Sequence, residues 1–139
     1  EIVKFIEGIR SQTHVVLTLD TLEYARRSGR VGALRSALAS ALNLKPIALL
    51  KDGLVEMVDR VRTRKAAIER VLTIARESVG DNPVHVGVVH ARDLATGQSL
   101  LNEAKKVLNV KESFLTDLSI SLAINFGPGT VGLVLYPAE

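Results

Sequence analysis

The sequence predicts an α/β (α+β) fold: one domain with a mixed β-sheet packed by helices. Three observations lead there. The chain has 139 residues, of which 47% are hydrophobic and 24% charged, a composition that can bury one substantial core. Short β-branched apolar runs alternate with segments whose apolar residues recur at helical spacing, in the order α-β-α-α-β-β-α-β-α-β-β. Glycine, proline and Asx residues punctuate the joins, and no repeat, low-complexity tract or linker divides residues 1–139.

The elements follow in order. In "EIVKFIEGI", Ile2, Phe5, Ile6 and Ile9 stand at helical spacing. "HVVLTLD" (14–20) is a buried strand. Asp20 and Glu23 have the spacing of a capping box, so a helix is expected from about Thr21 to the Ser28-Gly29 break. After Val31-Gly32 a second helix carries Ala33, Leu34, Ala37, Leu38, Ala41 and Leu42 as a wide apolar stripe. Residues 45–62 read as a hairpin about Asp52-Gly53, a pair suited to positive φ, with Pro46 marking a strand start or an edge. Thr63 can cap the next helix, in which Ile68, Val71, Leu72 and Ala75 share a face, and Gly80-Asp81-Asn82-Pro83 ends it. "VHVGVVHA" (84–91) is a strand, and Asp93 caps a helix to about Leu108. "SFLTDLSISLAINFG" leads through one strand to Gly127-Pro128-Gly129, and "VGLVLYP" is the last strand.

Composition excludes several functions. No apolar run approaches the roughly 18 residues of a membrane span, and no signal-peptide pattern opens the chain. The absence of cysteine removes disulfides and thiolate metal sites, and suits a cytoplasmic protein. Glu1 opens on a helix already in progress, which leads us to expect a piece of a longer chain. Residues 1–70 hold 13 Lys/Arg against 8 Asp/Glu, and residues 71–139 hold 5 against 7. The basic half suits an anionic ligand, an acidic partner protein or plain solvation. Nucleic acid fits less well, because only 4% of residues are aromatic and no recognition motif is present.

Few candidate sites emerge. Gly127, Pro128, Gly129 and Thr130 lead into a strand pattern rather than a helix and lack a Gly-Lys-Ser/Thr, so they are not a phosphate cradle. They read as a turn, or as a loop whose missing side chains let a ligand or domain approach the backbone. Arg30, between Gly29 and Gly32, is either a surface cation or a side chain reaching a carboxylate or phosphate. His14, His85 and His90 are too scattered for a metal site; the last two, five apart on a strand, point to opposite faces. No nucleophile elbow or convergent carboxylate pair is visible, so a binding module is expected rather than an enzyme.

Three segments resemble one family. "DTLEYARRSGRVG" (20–32) is similar to the DegV-family stretch in which a Leu-Glu-Tyr helix leads to a Gly-Arg-Ile/Val-Gly turn. "LNLKPIALLKDGLVEMVDRVRTRKAAIERV" (42–71) continues the resemblance through a Lys-Pro-Ile strand, a Lys-Asp-Gly turn and Val-Arg-Thr-Arg-Lys opening a helix. "NFGPGTVGLV" falls where the family carries His-Thr-Gly-Pro-Gly. The resemblance implies a two-domain bacterial fatty-acid-binding protein that holds an acyl chain in a tunnel with its carboxylate at the domain junction. It further implies that several members present that carboxylate to a separate fatty acid kinase. This chain resembles the second domain; the N-terminal domain, which supplies Ser/Thr ligands, is expected to lie outside it.

Carried over by position, Arg30 matches the arginine of the Gly-Arg-Ile turn, near the head group or the kinase-facing surface. Asn125 falls on the family's histidine, whose place an amide can take as a donor but not as a cation. Gly127, Pro128, Gly129 and Thr130 match the loop beside the head group. The helix bearing Leu34 and Leu38, rich in small side chains, agrees with a slot for an acyl chain. The expectation is therefore a fatty-acid-binding domain with no cofactor or catalysis of its own, open to self-association through an exposed half-tunnel. The alternative is a protein-interaction domain using a basic face of Arg26, Arg27, Arg30, Arg62 and Arg64.

Overall fold

A computed structural model describes residues 1–29 and 43–138. Within them the chain runs α1 (Ile2–Gln12), β1 (His14–Thr18), α2 (Glu23–Arg27), β2 (Lys45–Lys51), β3 (Leu54–Val61), α3 (Arg64–Val79), β4 (Val84–His90), α4 (Leu94–Val107), β5 (Val110–Asp117), α5 (Ile120–Phe126) and β6 (Val131–Pro137). The expected helix through Ala33–Leu42 falls outside the described residues. The strands make one six-stranded sheet in the order β3-β2-β1-β6-β4-β5. The β4–β5 pair is parallel and the others are antiparallel, so the sheet is mixed as expected. Among the described residues no helix is long and apolar enough to cross a membrane.

Local chemistry sets most boundaries. The Thr63 side chain accepts the Ala66 N–H and the Asp93 side chain accepts the Thr96 N–H, each closing the first turn of its helix. Asp52 and Gly53 both have positive φ (51° and 78°), which lets a two-residue turn join β2 to β3. Pro46 stands at the start of β2, which lies inside the sheet rather than at its edge. The Pro46 carbonyl accepts from the Leu19 N–H and the buried Thr18 Oγ1.

Two expectations need correction. The Asp20–Glu23 capping box does not form: α2 begins at Glu23, with Leu22 at its N-cap and no side-chain cap bond. Asp20 instead takes Lys45 Nζ at 2.8 Å, and Glu23 pairs with Arg26 and Arg27. The segment read as a strand running to the Gly-Pro-Gly loop is a strand, β5, followed by a helix, α5. Ile120, Leu122, Ile124 and Phe126 alternate with small or polar residues and mimic a strand's period of two. The residues that pack are Ala123 and Phe126, three apart, while Ile120 and Ile124 are exposed.

The sheet separates two apolar clusters. On one face α3 and α4 lay Ala67, Val71, Ile74, Ala75, Leu100, Leu101 and Ala104 against Val16, Ile47, Val86, Val88, Leu133 and Leu135. On the other, α2 and α5 cover one end with Leu22, Ala25 and Phe126, over Leu17, Leu19, Ala48, Ala91 and Leu118. Val15, Val55, Met57 and Val89 on that second face remain half-buried.

Candidate functional site

The second face is apolar. Register places Gly87 beside Val134, which pairs in turn with Val15, and Gly132 between Val89 and Leu17, so two neighbouring rows across the central strands each contain a glycine. Neither has room for a side chain. A Cβ on Gly87 would lie 2.5 Å from the Phe114 ring, and one on Gly132 would lie 2.6 Å from Leu17 Cβ and 2.8 Å from the Val16 carbonyl. Phe114, from edge strand β5, thus lies over Gly87 while remaining 49% exposed. The result is a shallow aliphatic floor that ends at α2, α5 and the Gly-Pro-Gly loop.

The loop itself is tightly tied. Gly127 caps α5 with φ 85°, and a side chain there would drive into the Tyr24 ring, 2.3 Å from an added Cβ. The Gly127 N–H donates to Ala123 O, and the buried Thr130 Oγ1 donates to Gly127 O at 2.9 Å. The Gly129 N–H donates to Ala91 O, the Ala91 N–H returns to Thr130 O, and Arg64 Nη2 donates to Gly129 O. Pro128 is exposed. The loop's amides are therefore used inside the protein, as expected for something other than a phosphate cradle. Asn125, half-buried in the last turn of α5, donates Nδ2 to Ser121 O at 2.7 Å. Arg30, Leu34 and Leu38 lie outside the described residues.

Charges around the loop are compensated. Arg64 holds Asp93 Oδ2 at 3.0 Å. Burial raises the Asp93 carboxyl, but hydrogen bonds from Thr96 and the Arg64 guanidinium together hold it below the usual carboxylate range. Arg26 first, then Arg27, lowers the Glu23 carboxyl in the same way. Of the five arginines of the expected basic face, Arg26 and Arg27 are thus spent on Glu23 and Arg64 on Asp93, while Arg62 is exposed. No group of three or more His, Asp or Glu side chains that could hold a metal occurs among the described residues.

Sequence reading found the loop but not its supports. Tyr24 and Asp20 line it from α2 and the end of β1, and Arg64 and Asp93 meet although 29 residues apart. Gly87, Gly132 and Phe114 gave no signal, because only the sheet register brings them together. A cavity of about 440 Å3 opens at the opposite end of the sheet, among Gln12, His14, Ser78, Asn82 and Tyr136, away from the loop.

Residues 1–138 match a family model described as "Uncharacterised protein, DegV family". DegV domain-containing proteins of Clostridium acetobutylicum and Streptomyces coelicolor are 32% and 31% identical to this chain, each over 97% of it and over 49% and 48% of their own lengths. A DegV family protein from Thermus thermophilus, whose structure is described by its fatty acid binding, superposes with a TM-score of 0.87 at 31% identity, over 99% of this chain and 50% of its own. A stearic acid-binding protein from Eubacterium ventriosum shares the fold at a TM-score of 0.86 and 24% identity, over 97% of this chain and 48% of its own. The chain spans about half the length of the curated relatives it matches. With the Gly-Pro-Gly loop, the mixed sheet and a match along residues 1–138 in agreement, the chain belongs to the DegV family.

Proposed function

We propose that this chain forms part of a binding site for a long-chain fatty acid, with the acyl chain against the second face of the sheet and the carboxylate toward Asn125 and the Gly127–Thr130 loop. The observation that carries this reading is the half-buried aliphatic floor of Val15, Val89 and Val134 around Gly87 and Gly132. A surface of that kind suits a flexible apolar guest: each methylene removed from water contributes about 0.8 kcal/mol, so a long chain supplies most of the affinity without polar contacts. The polar end then supplies orientation, and Asn125 offers an amide donor where the family's histidine stands. Arg30, Leu34 and Leu38 complete the proposed site as head-group and tunnel residues. The fatty acid binding described for the Thermus thermophilus relative supports the same ligand class.

In this reading the protein is a cytoplasmic carrier that presents its acid to a partner such as a fatty acid kinase, and performs no chemistry on it. The test is native mass spectrometry of the full-length protein, with organic extraction and lipid analysis. A stoichiometric fatty acid is the expected result. A protein that is empty, and stays empty when offered fatty acids, contradicts it.

A further inference from the structure

Arg64 stands in the sequence only as one of several surface cations, yet its side chain is only 28% exposed and its guanidinium bridges three segments. It projects from the first residue of α3, meets the N-cap carboxylate of α4 at Asp93, and donates to the carbonyl of Gly129 in the loop. Its other terminal nitrogen, Nη1, is buried without a hydrogen-bond partner among the described residues. Two oxygens that would repel an anion near the loop, the Asp93 carboxylate and the Gly129 carbonyl, are thus both neutralised by one side chain. The Asp93 carboxyl keeps its other oxygen on the Thr96 N–H, so it cannot turn away from the loop without uncapping α4.

We infer that Arg64 is a positioning and selectivity residue: by masking Asp93 and Gly129 O it makes the loop tolerant of an anionic head group, and so sets the preference for an acid over an uncharged lipid of equal length. This rests on the fatty-acid reading above. A carboxylate left bare within several ångströms of a bound anion weakens that anion and leaves an alcohol almost unaffected, because only the charged guest feels the unscreened charge. A residue that merely stabilised the fold would change both guests alike.

The test compares hexadecanoic acid with hexadecan-1-ol at pH 7.5, by displacement of a fluorescent acyl probe from the full-length protein. Arg64→Gln is expected to weaken the acid about tenfold and the alcohol less than about twofold. Asp93→Asn, which keeps a good N-cap, is expected to tighten the acid about threefold by leaving the Arg64 cation uncompensated, with the alcohol unchanged. The double variant is expected to lie near wild type for both. Equal losses for acid and alcohol in Arg64→Gln, or no loss, overturn the inference. Should that variant fail to fold, an acid affinity in Asp93→Asn that does not rise overturns it alone. Wild-type protein that binds neither guest removes the fatty-acid reading itself, and this inference with it, an outcome distinct from the others.

Discussion

The two faces of the sheet are built from the same strands to different ends. On the first, two helices of 16 and 14 residues seal the sheet, and Val16, Val71, Val86, Leu100, Leu133 and Leu135 are fully buried. On the second, among the described residues, the short helices α2 and α5 cover one end, and Val15, Val55, Met57 and Val89 along the strands stay half-buried. A face closed by long amphipathic helices serves stability; in the reading proposed above, the half-buried aliphatic face beside the ordered loop takes the guest. The difference teaches that the same strands can carry a fully packed core on one face and, among the described residues, a partly covered aliphatic surface on the other.

The comparison breaks first where stability is concentrated. Leu100→Ala, at a fully buried position on the first face, is expected to cost about 2–5 kcal/mol in denaturant unfolding. A loss under 1 kcal/mol contradicts the division of labour. Gly132→Ala places a methyl against the Val16 carbonyl, a backbone atom that cannot rotate aside, and should cost about 1–3 kcal/mol while reducing lipid retention. Gly87→Ala meets only the Phe114 ring, so its cost should be smaller and partly removed by adding Phe114→Ala. A double-mutant cycle measures this, with a coupling of about 0.5–2 kcal/mol expected and strict additivity counting against it.

The smallest expected effect is the pH response of the Arg64–Asp93 pair. The Asp93 carboxyl is depressed in the folded state, so the stability it contributes is present above the unfolded value of about 3.9 and is lost as pH falls through the folded one. Thermal unfolding of wild type and Asp93→Asn should therefore converge as pH falls below about 4, wild type being the more stable at neutral pH. A gap that stays constant across that window rules out the ionised carboxylate as its source.

Legibility followed the range of the interactions. Thr63, Asp93 and Asp52-Gly53 act within four residues of themselves, and their roles could be read directly. The Asp20 cap failed because Lys45, 25 residues on, competes for the same carboxylate. Helix α5 was hidden because seven residues hold too few turns to show a period, and its exposed Ile120 and Ile124 imitate a strand. The loop was visible by composition and by its resemblance to a family motif, whereas Gly87, Gly132 and Phe114 acquire meaning only through the register that joins β4 to β5 and β6, and Arg64 only through its long-range contacts with Asp93 and Gly129.

The most direct test of the central claim is to locate the acyl chain. A long-chain fatty acid carrying a diazirine at mid-chain, photolysed in the full-length protein and mapped by peptide mass spectrometry, should label Val15, Met57, Val89 or Phe114 on the second face. Excess unlabelled acid should suppress those adducts. Saturable adducts confined to α3 and α4, with the second face clean, would contradict the assignment of the acyl chain to that face.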